Sequence, residues 1–379
     1  EPLVNHAWRN AVVQNFQLIN HGQLRYSTGN QYDQIYSAEG SDAVMALLSW
    51  GYAAEARRLM EPLFDFTRRN LELHQASFKL GNLIRYVWQT RDVAAIEQLR
   101  PRWEKEIARF LEGRTGPGGL FPKEQYCGDI HTPVQSLNVN SKAWRSMHDL
   151  GALMTDFGEP ALGRRYAAEA AAFRPIVMQA IERVTSRTTE PPFVPIALDG
   201  GEPVHSPILH YRIGSYWNII IGYTIGSGIF PSGSAEESWI PHYQERHGGI
   251  FLGMVRSGGD TFNFWTGPER VNPLYGTRYT LDALRRDEPE HETPRPGLAV
   301  DPVEGVVHLL RGRVVVDGNR GAVDHFGPVV VIRNPGVEHT GEVRPAVEVG
   351  RPGAVARAEM PFSKQCRCVA RSTEREGQH

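Results

Sequence analysis

Apolar residues recur with a helical period through most of the first 289 positions. In HAWRNAVVQNFQLI the apolar residues fall on one face of a helix, namely Trp8, Ala11, Val12, Phe16 and Ile19. The segment GSDAVMALLSWGYAAEARRLMEPLFDFTRR predicts two helices separated at Gly51. Asp42 stands near the start of the first, where a carboxylate suits the positive end of the helix dipole.

The same helix-turn-helix pattern recurs downstream. It predicts helices near 73–90 and 93–113, then near 137–157 and 159–185, with turns at Arg91-Asp92 and Gly158. Further helices are predicted in GSYWNIIIGYTIG, SAEESWIPHYQERHG and NPLYGTRYTLDALRRDEP. Short internal turns and longer loops between the pairs indicate an all-α array of αα-hairpins.

The two helices of a hairpin differ in composition. First helices, such as SLNVNSKAWRSMHDL, combine polar residues with aromatic ones, whereas second helices, such as PALGRRYAAEAAAFRPIVMQAIERV, are Ala-rich with charged outer faces. This difference predicts an inner ring of first helices around a polar cavity and an outer ring of second helices. The loops that enter the inner helices would line the cavity mouth.

A composition shift marks a boundary near 287–296. All eight Trp and all thirteen Tyr lie at or before Tyr279, and the chain after Pro289 is rich in Val, Arg, Gly and Pro. We therefore expect a helical domain over 1–289 and a distinct tail over 290–379. The tail is interpreted either as a small β domain, from its β-branched runs and Asp-Gly and Asn-Pro-Gly turns, or as a disordered or out-of-frame segment of GC-rich coding sequence.

Charge and composition exclude several classes of function. With 41 basic and 43 acidic residues the formal charge is −2, which argues against nucleic-acid binding. No apolar run reaches the roughly 18 residues that a membrane span needs. The three cysteines form no disulfide framework. A chain that starts at Glu1 without Met suggests a processed, cut or partial protein; compartment and oligomeric state stay open.

The loop segment KEQYCGDIH, residues 123–131, concentrates groups that transfer protons. Glu124 and Asp129 are the candidate acids, and Gly128 would let the backbone turn tightly and present Asp129. The alternative is that both acids are solvated loop residues or helix caps. Cys127, Asp129 and His131 spell C-x-D-x-H, but no second ligand cluster accompanies them, so we expect no metal and no cofactor.

Four stretches resemble the (α/α)6-toroid glycoside hydrolases, the group with glucoamylases, trehalases and processing α-glucosidases. They are YDQIYSAEGSDAVMALLSWGYAAEARRLM, LFPKEQYCGDIHTPVQSLNVNSKAW, HYRIGSYWNIIIGY and, more weakly, FNFWTGPERVNPLYG. The resemblance covers about residues 3–289. It implies an (α/α)6 toroid, complete or incomplete. The β-rich or irregular segment after it lies outside the resemblance and is expected from composition alone. It also implies inverting hydrolysis of a glycosidic bond in an oligosaccharide or glycoconjugate.

The resemblance also assigns roles to residues. Asp129 or Glu124 would be the general acid, with a slight preference for Asp129. Acids late in the chain would supply the base, and the candidates are Glu236, Glu237, Glu245 and Glu269. Residues expected to bind the carbohydrate are Tyr32, Asp33, Tyr36, Glu39, Asp42, His131, Asn138, Trp144, Arg145, Arg212, Tyr216, Trp217 and Asn218.

Some of these assignments have structural alternatives. Asp42 could cap a helix, and the tyrosines and tryptophans could belong to the core. None of the candidate bases stands in a clear motif. If the tail is out of frame, the true base is lost with the last hairpin, the toroid is unclosed and the chain is inactive.

Two rival functions remain. A sugar epimerase or polysaccharide lyase on the same toroid would use His or Tyr as its base, and the available histidines are His131, His148, His205 and His210. Paired histidines facing one cavity would favour this rival, whereas a pair of carboxyl groups would favour hydrolysis. A non-catalytic scaffold that binds carbohydrate or protein would show an aromatic cavity with one carboxyl group.

Overall fold

A computed structural model describes residues 2–17, 19–20, 23–24, 37–251, 254–258, 270–271 and 273–287. These residues are mostly helical, as the periodicity predicts. The α-helices are α1 Pro2–Gln17, α2 Ser37–Ser49, α3 Ala53–Asp65, α4 Glu72–Thr90, α5 Ala94–Gln98, α6 Arg100–Glu112, α7 Leu137–Phe157, α8 Pro160–Val184, α9 Arg212–Ile220, α10 Gly222–Ser227, α11 Ala235–Arg246 and α12 Pro273–Asp287. Single 3₁₀ turns lie at Pro117–Gly119 and Ile208–His210.

Most helix boundaries follow from local sequence. The turn between α2 and α3 contains Gly51 at φ 86°, a left-handed conformation that glycine adopts without a Cβ penalty. Helix α7 begins after Ser136, whose hydroxyl accepts a hydrogen bond from the Val139 amide. The predicted helix near 93–113 is divided into α5 and α6. Pro101 lies in the first turn of α6, a position that favours a new helix start.

Five helices pack side by side in succession. Helix α2 packs on α4, α4 on α7, α7 on α10, and α10 on α12. The second helices of the hairpins pack against them, with α3 on α2 and α4, α6 on α4, and α8 on α7. Burial separates the two sets, since 14 of the 21 residues of α7 are buried but only 7 of the 25 in α8. The predicted difference between first and second helices is therefore present.

Glycine brings α7 and α8 into close contact. A Cβ at Gly151 of α7 would lie 2.9 Å from the amide nitrogen of Ala167 and 3.1 Å from the carbonyl oxygen of Gly163, both in α8. Since each of these atoms belongs to the backbone, a larger residue would force the two helices apart.

Short antiparallel strands connect the helices, which the helical pattern did not predict. They are β1 Ile19–Asn20 with β2 Gln23–Leu24, β3 Glu124–Gln125 with β4 Pro133–Val134, and the sheet β5 Ile250–Phe251, β6 Met254–Ser257 and β7 Arg270–Val271. Strands of two to four residues are too short to show an alternating pattern in sequence.

The tail falls outside the described residues, as does the predicted boundary after 289. Helix α12 ends at Asp287. In the part of the chain that the structure describes, none of the helices has the length and apolar character to cross a bilayer.

Candidate functional site

The segment KEQYCGDIH forms a hairpin that precedes α7. Glu124 pairs with Val134 and Gln125 with Pro133, and the Tyr126 amide donates to the Thr132 carbonyl at 2.9 Å. These contacts place Asp129 at the tip of the hairpin. The hydroxyl of Tyr126 donates to Glu202 at 2.7 Å, which anchors the hairpin to the loop after α8.

Glu124 caps α4. Its Oε1 accepts the Leu73 amide at 2.7 Å and its Oε2 accepts the His74 amide at 3.2 Å, in the first turn of that helix. The residue is 6% exposed, and burial raises the pKa of its carboxyl group. Both oxygens are engaged by backbone N–H groups, as the helix-cap alternative expects, so the contacts favour Asp129 as the acid that faces a ligand.

Asp129 is exposed and held by contacts from three sides. Its Oδ2 accepts the hydroxyl of Tyr216 at 3.1 Å. Arg68 donates to the Gly128 carbonyl at 3.0 Å, and Arg212 approaches the Asp129 carbonyl at 3.4 Å. Burial and the Asp129 charge raise the pKa of Tyr216, which keeps its hydroxyl protonated as the donor. The carboxylate is therefore oriented yet open to solvent.

Helices α2 and α12 contribute two further pairs. The hydroxyl of Tyr275 donates to Oε1 of Glu39 at 2.7 Å, and Nη2 of Arg278 lies 2.8 Å from Oδ1 of Asp42. Burial, as the largest effect, raises the pKa of Glu39, while the Tyr275 hydrogen bond lowers it. A raised pKa favours the protonated form of Glu39, which is the form that can donate a proton.

Helices α4, α7 and α10 meet in a cluster that we call the nitrogen cage: His74, Phe78, Lys142 and Tyr223. Nζ of Lys142 lies 3.1 Å from Nδ1 of His74 and 3.7 Å above the Phe78 ring. The three rings contact one another edge to face, with centroids 5.1–5.6 Å apart. Arg278 lies 4.3 Å over the Tyr223 ring and so joins the cage to the α2–α12 pairs.

These groups converge at the beginnings of neighbouring helices. Glu39, His74 and Tyr275 are each the third residue of their helix, and Asp42, Lys142 and Arg278 are each the sixth. Their charges interact, since Asp129 and Asp42 both raise the pKa of Glu39. The candidate site is therefore an edge formed by the first two turns of successive helices together with the hairpin tip.

Other predicted binding residues hold the fold together. The Trp217 indole donates to the Val194 carbonyl at 3.0 Å, and the Asn218 amide donates to the Gly249 and Arg256 carbonyls at 2.8 and 2.7 Å. Asn138 accepts the Thr224 hydroxyl at 2.8 Å. The contact of Trp217 fits the expectation that the tryptophans could belong to the core.

Trp144 and Arg145 lie further along α7 than the candidate site residues. The Arg174 guanidinium stacks over the Trp144 ring at 5.0 Å, and Arg145 pairs with Asp149. His131 is exposed near the hairpin tip. None of these contacts links Trp144 or Arg145 to Asp129.

The late acids have partners of their own. Glu237 accepts the Gly233 amide at 2.7 Å at the start of α11, and Glu245 accepts the Tyr279 hydroxyl at 2.8 Å. Glu236 is half-buried in the same turn as Glu237. Several predicted residues lie outside the described residues: Tyr32, Asp33, Tyr36 and Glu269.

The histidines of the rival function are dispersed. His148 contacts Asp149 at 2.8 Å and His205 contacts Glu202 at 2.9 Å, while the His210 ring packs on Tyr211. His74, which the sequence analysis did not select, is the histidine of the nitrogen cage. Four further residues of the site were not predicted from the sequence: Lys142, Tyr223, Tyr275 and Arg278. All four lie in the first two turns of their helices, so polar and aromatic residues at these positions are the signal that could have identified them.

Cys127 shows no sign of metal or nucleophilic chemistry. It is half-buried, and burial raises the pKa of its thiol to about 11, so the thiol stays protonated at neutral pH. Among the described residues, no group of three His, Cys, Asp or Glu side chains is arranged to hold a metal ion.

Comparison with protein-family models, curated proteins and solved structures finds no match for this sequence.

Proposed function

We propose that the protein is a glycoside hydrolase that acts on an oligosaccharide or glycoconjugate. The observation that carries the proposal is that Glu39, whose carboxyl pKa is raised, is near enough to Asp129 for the Asp129 charge to contribute to that shift. Glycosidic hydrolysis needs a protonated carboxyl group to assist the leaving oxygen and an ionised one to activate water or attack. Environments that separate the pKa values of two carboxyl groups create that division of roles.

Glu39 has the properties of the acid. It is half-buried in the first turn of α2, and its carboxyl pKa is raised by burial and by the charges of Asp42 and Asp129. Asp129 has those of the base, because it is exposed to water and oriented by Tyr216. In this assignment Glu39, which the resemblance placed among the sugar-binding residues, is the general acid. Asp129, which the resemblance made the preferred general acid, is the base instead.

Neighbouring groups suit a sugar. Asp42, fixed by Arg278, offers a carboxylate oxygen to hydroxyl groups. The rings of Tyr216 and Tyr223 are buried, and the guanidinium groups of Arg212 and Arg278 lie over them. They therefore help to position the charged groups of the site.

The packing of the helices supports an incomplete (α/α)6 toroid as the architecture of this enzyme. Helices α2, α4, α7, α10 and α12 pack in succession, and the pairs Glu39–Tyr275 and Asp42–Arg278 connect α12 to α2. Inverting hydrolysis would then proceed with the two carboxyl groups roughly 6.5–9.5 Å apart.

One observation favours a second candidate, a sugar epimerase or polysaccharide lyase. Lys142 and His74 place two basic nitrogens 3.1 Å apart, and an uncharged nitrogen base could remove a proton from carbon. In that case the carboxyl groups would bind the sugar and leave proton abstraction to the nitrogen cage.

An activity screen with three variants tests the proposal. Purified protein is offered aryl glycosides of both anomeric series and a set of oligosaccharides. Glu39→Gln and Asp129→Asn should each lower turnover by about 10²–10⁴-fold, whereas Asp156→Asn, an exposed aspartate of α7, should retain it. Proton NMR of the first-formed sugar should show inversion at the anomeric carbon.

Different products would overturn hydrolysis. An unsaturated sugar with ultraviolet absorbance indicates a lyase, and solvent deuterium at a ring carbon indicates an epimerase. Sugar binding without turnover indicates the non-catalytic scaffold. Full activity in Asp129→Asn would contradict the role given to that carboxylate.

A further inference from the structure

Lys142 is a buried amine whose hydrogen-bond partners are not carboxylates. It is 9% exposed, and among the described residues no carboxylate forms an ion pair with it. Nζ contacts the His74 carbonyl at 3.2 Å and the His74 Nδ1 at 3.1 Å, and it lies over the faces of Phe78 and Tyr223 at 3.7 and 4.9 Å. Each of these partners attracts an N–H group.

This arrangement determines where the proton of His74 resides. If Nζ donates to Nδ1, then Nδ1 is the acceptor and the single proton of the neutral imidazole is on Nε2. His74 is uncharged near pH 7, because burial and the positive charges of Lys142 and Arg278 lower its pKa. Burial lowers the pKa of Lys142 well below its ordinary value and the positive charge of Arg278 lowers it further, while the carboxylates of Glu124 and Asp42 act in the opposite direction.

Nε2 of His74 is the unused end of the ring. In the part of the chain that the structure describes, this nitrogen has no hydrogen-bond partner, and it is not among the buried polar atoms without one. The side chain is half-buried at the third position of α4, on the edge where Asp42 and Glu39 begin α2. Nε2 is thus an accessible donor at the candidate site.

We propose that Lys142 fixes His74 in the Nε2–H form, and that this N–H donates a hydrogen bond to an uncharged hydroxyl of the bound sugar. His74 is then a binding residue and Lys142 a positioning residue. The identity of the ligand rests on the proposed hydrolase function, whereas the state of His74 does not.

Nitrogen NMR of ¹⁵N-histidine-labelled protein tests the state of His74 without any substrate. The signals lost in His74→Gln identify the residue. We expect the coupling pattern of the Nε2–H tautomer and no titration near pH 6.5. In Lys142→Met, which removes the positive charge and the donor to Nδ1, His74 should titrate at a higher pH than in the parent. A proton on Nδ1, or a parent His74 that titrates near pH 6.5, would overturn the proposal.

Two replacements of His74 test the bond to the sugar, with the glycoside that the activity screen finds best. Gln can place an amide N–H where Nε2–H was, whereas Phe keeps a ring without a donor. His74→Phe should raise KM by roughly three- to tenfold with little change in kcat, and His74→Gln should recover most of that loss. Equal KM values for both variants would contradict the hydrogen bond.

The two failures can be told apart. If no glycoside is cleaved, the hydrolase proposal fails, and NMR still decides the tautomer of His74. If glycosides are cleaved but the tautomer is wrong, only the inference about Lys142 and His74 fails.

Discussion

Tyr275 and Glu39 are bonded through side chains at matching helix positions, the third residue of α12 and the third of α2. Arg278 and Asp42, the sixth residues of the same helices, form the second bond. The third residues of α2 and α12 are bonded to each other, and so are the sixth residues. The two helices therefore point in the same direction where these side chains meet. Their positive ends therefore lie together, where carboxylates are favoured.

The Tyr275 hydroxyl should set the alkaline limit of activity. It lowers a Glu39 pKa that burial raises, so Tyr275→Phe should raise that pKa further. If Glu39 is the proton donor, activity is lost as pH rises through this pKa, and the alkaline limb of kcat/KM should move to higher pH. The control is Tyr279→Phe, which removes the hydroxyl bonded to Glu245 and should leave the limb in place. A shift to lower pH in Tyr275→Phe would contradict the assignment.

Removing the cap of α4 should destabilise the fold. Glu124→Ala leaves the buried amides of Leu73 and His74 without an acceptor, at a cost of about 1–3 kcal/mol in the free energy of unfolding. Glu124→Gln keeps one carbonyl oxygen and should cost less. Urea unfolding at pH 7 measures both, with the exposed Glu112→Ala expected within about 0.5 kcal/mol of the parent. Equal stability of Glu124→Ala and the parent would show that the cap is not needed.

Alanine substitutions at Gly81 of α4 and Gly151 of α7 should change the free energy of unfolding in opposite directions. A Cβ at Gly81, in the middle of α4, meets no atom within 4 Å, so Gly81→Ala should stabilise by about 0.5–1 kcal/mol through helix propensity. Gly151→Ala meets the backbone of α8 and should destabilise by about 1–3 kcal/mol. Thermal or urea unfolding of both variants gives the comparison. An increase in the free energy of unfolding for Gly151→Ala as well would show that the α7–α8 contact is less close than described.

Gly128 lets Arg68 reach the hairpin tip. A Cβ there would lie 2.8 Å from Nη1 of Arg68, so Gly128→Ala should displace the guanidinium and release the carbonyl beside Asp129. The far end of a flexible side chain can move, hence the unfolding free energy should change by less than about 1 kcal/mol. Turnover should fall about ten- to a hundredfold because Asp129 is misplaced.

Arg68→Ala provides the matched variant for Gly128→Ala. If both substitutions act through the same contact, their effects on turnover should not add in the double variant. Additive losses would show that Gly128 and Arg68 act independently.

Periodicity in the sequence was sufficient to locate the helices, since α4 and α7 begin and end within a residue or two of their predicted bounds. Selecting site residues was harder. The loop composition and the family resemblance selected Asp129, and the resemblance selected Glu39, but Lys142 has the pattern of an ordinary polar position of an amphipathic helix. Only packing with α4 and α10 brings it to His74 and the aromatic rings, and such contacts between distant segments leave no local signal.

The bonds between α2 and α12 also determine when the site comes into being during synthesis. Glu39 and Asp42 leave the ribosome early, whereas Tyr275 and Arg278 follow 236 residues later. Until then, a nascent chain presents Asp42 without its guanidinium partner and Glu39 without its phenol. The proposed chemistry can therefore begin only after α12 has been synthesised and its side chains have bonded to those of α2.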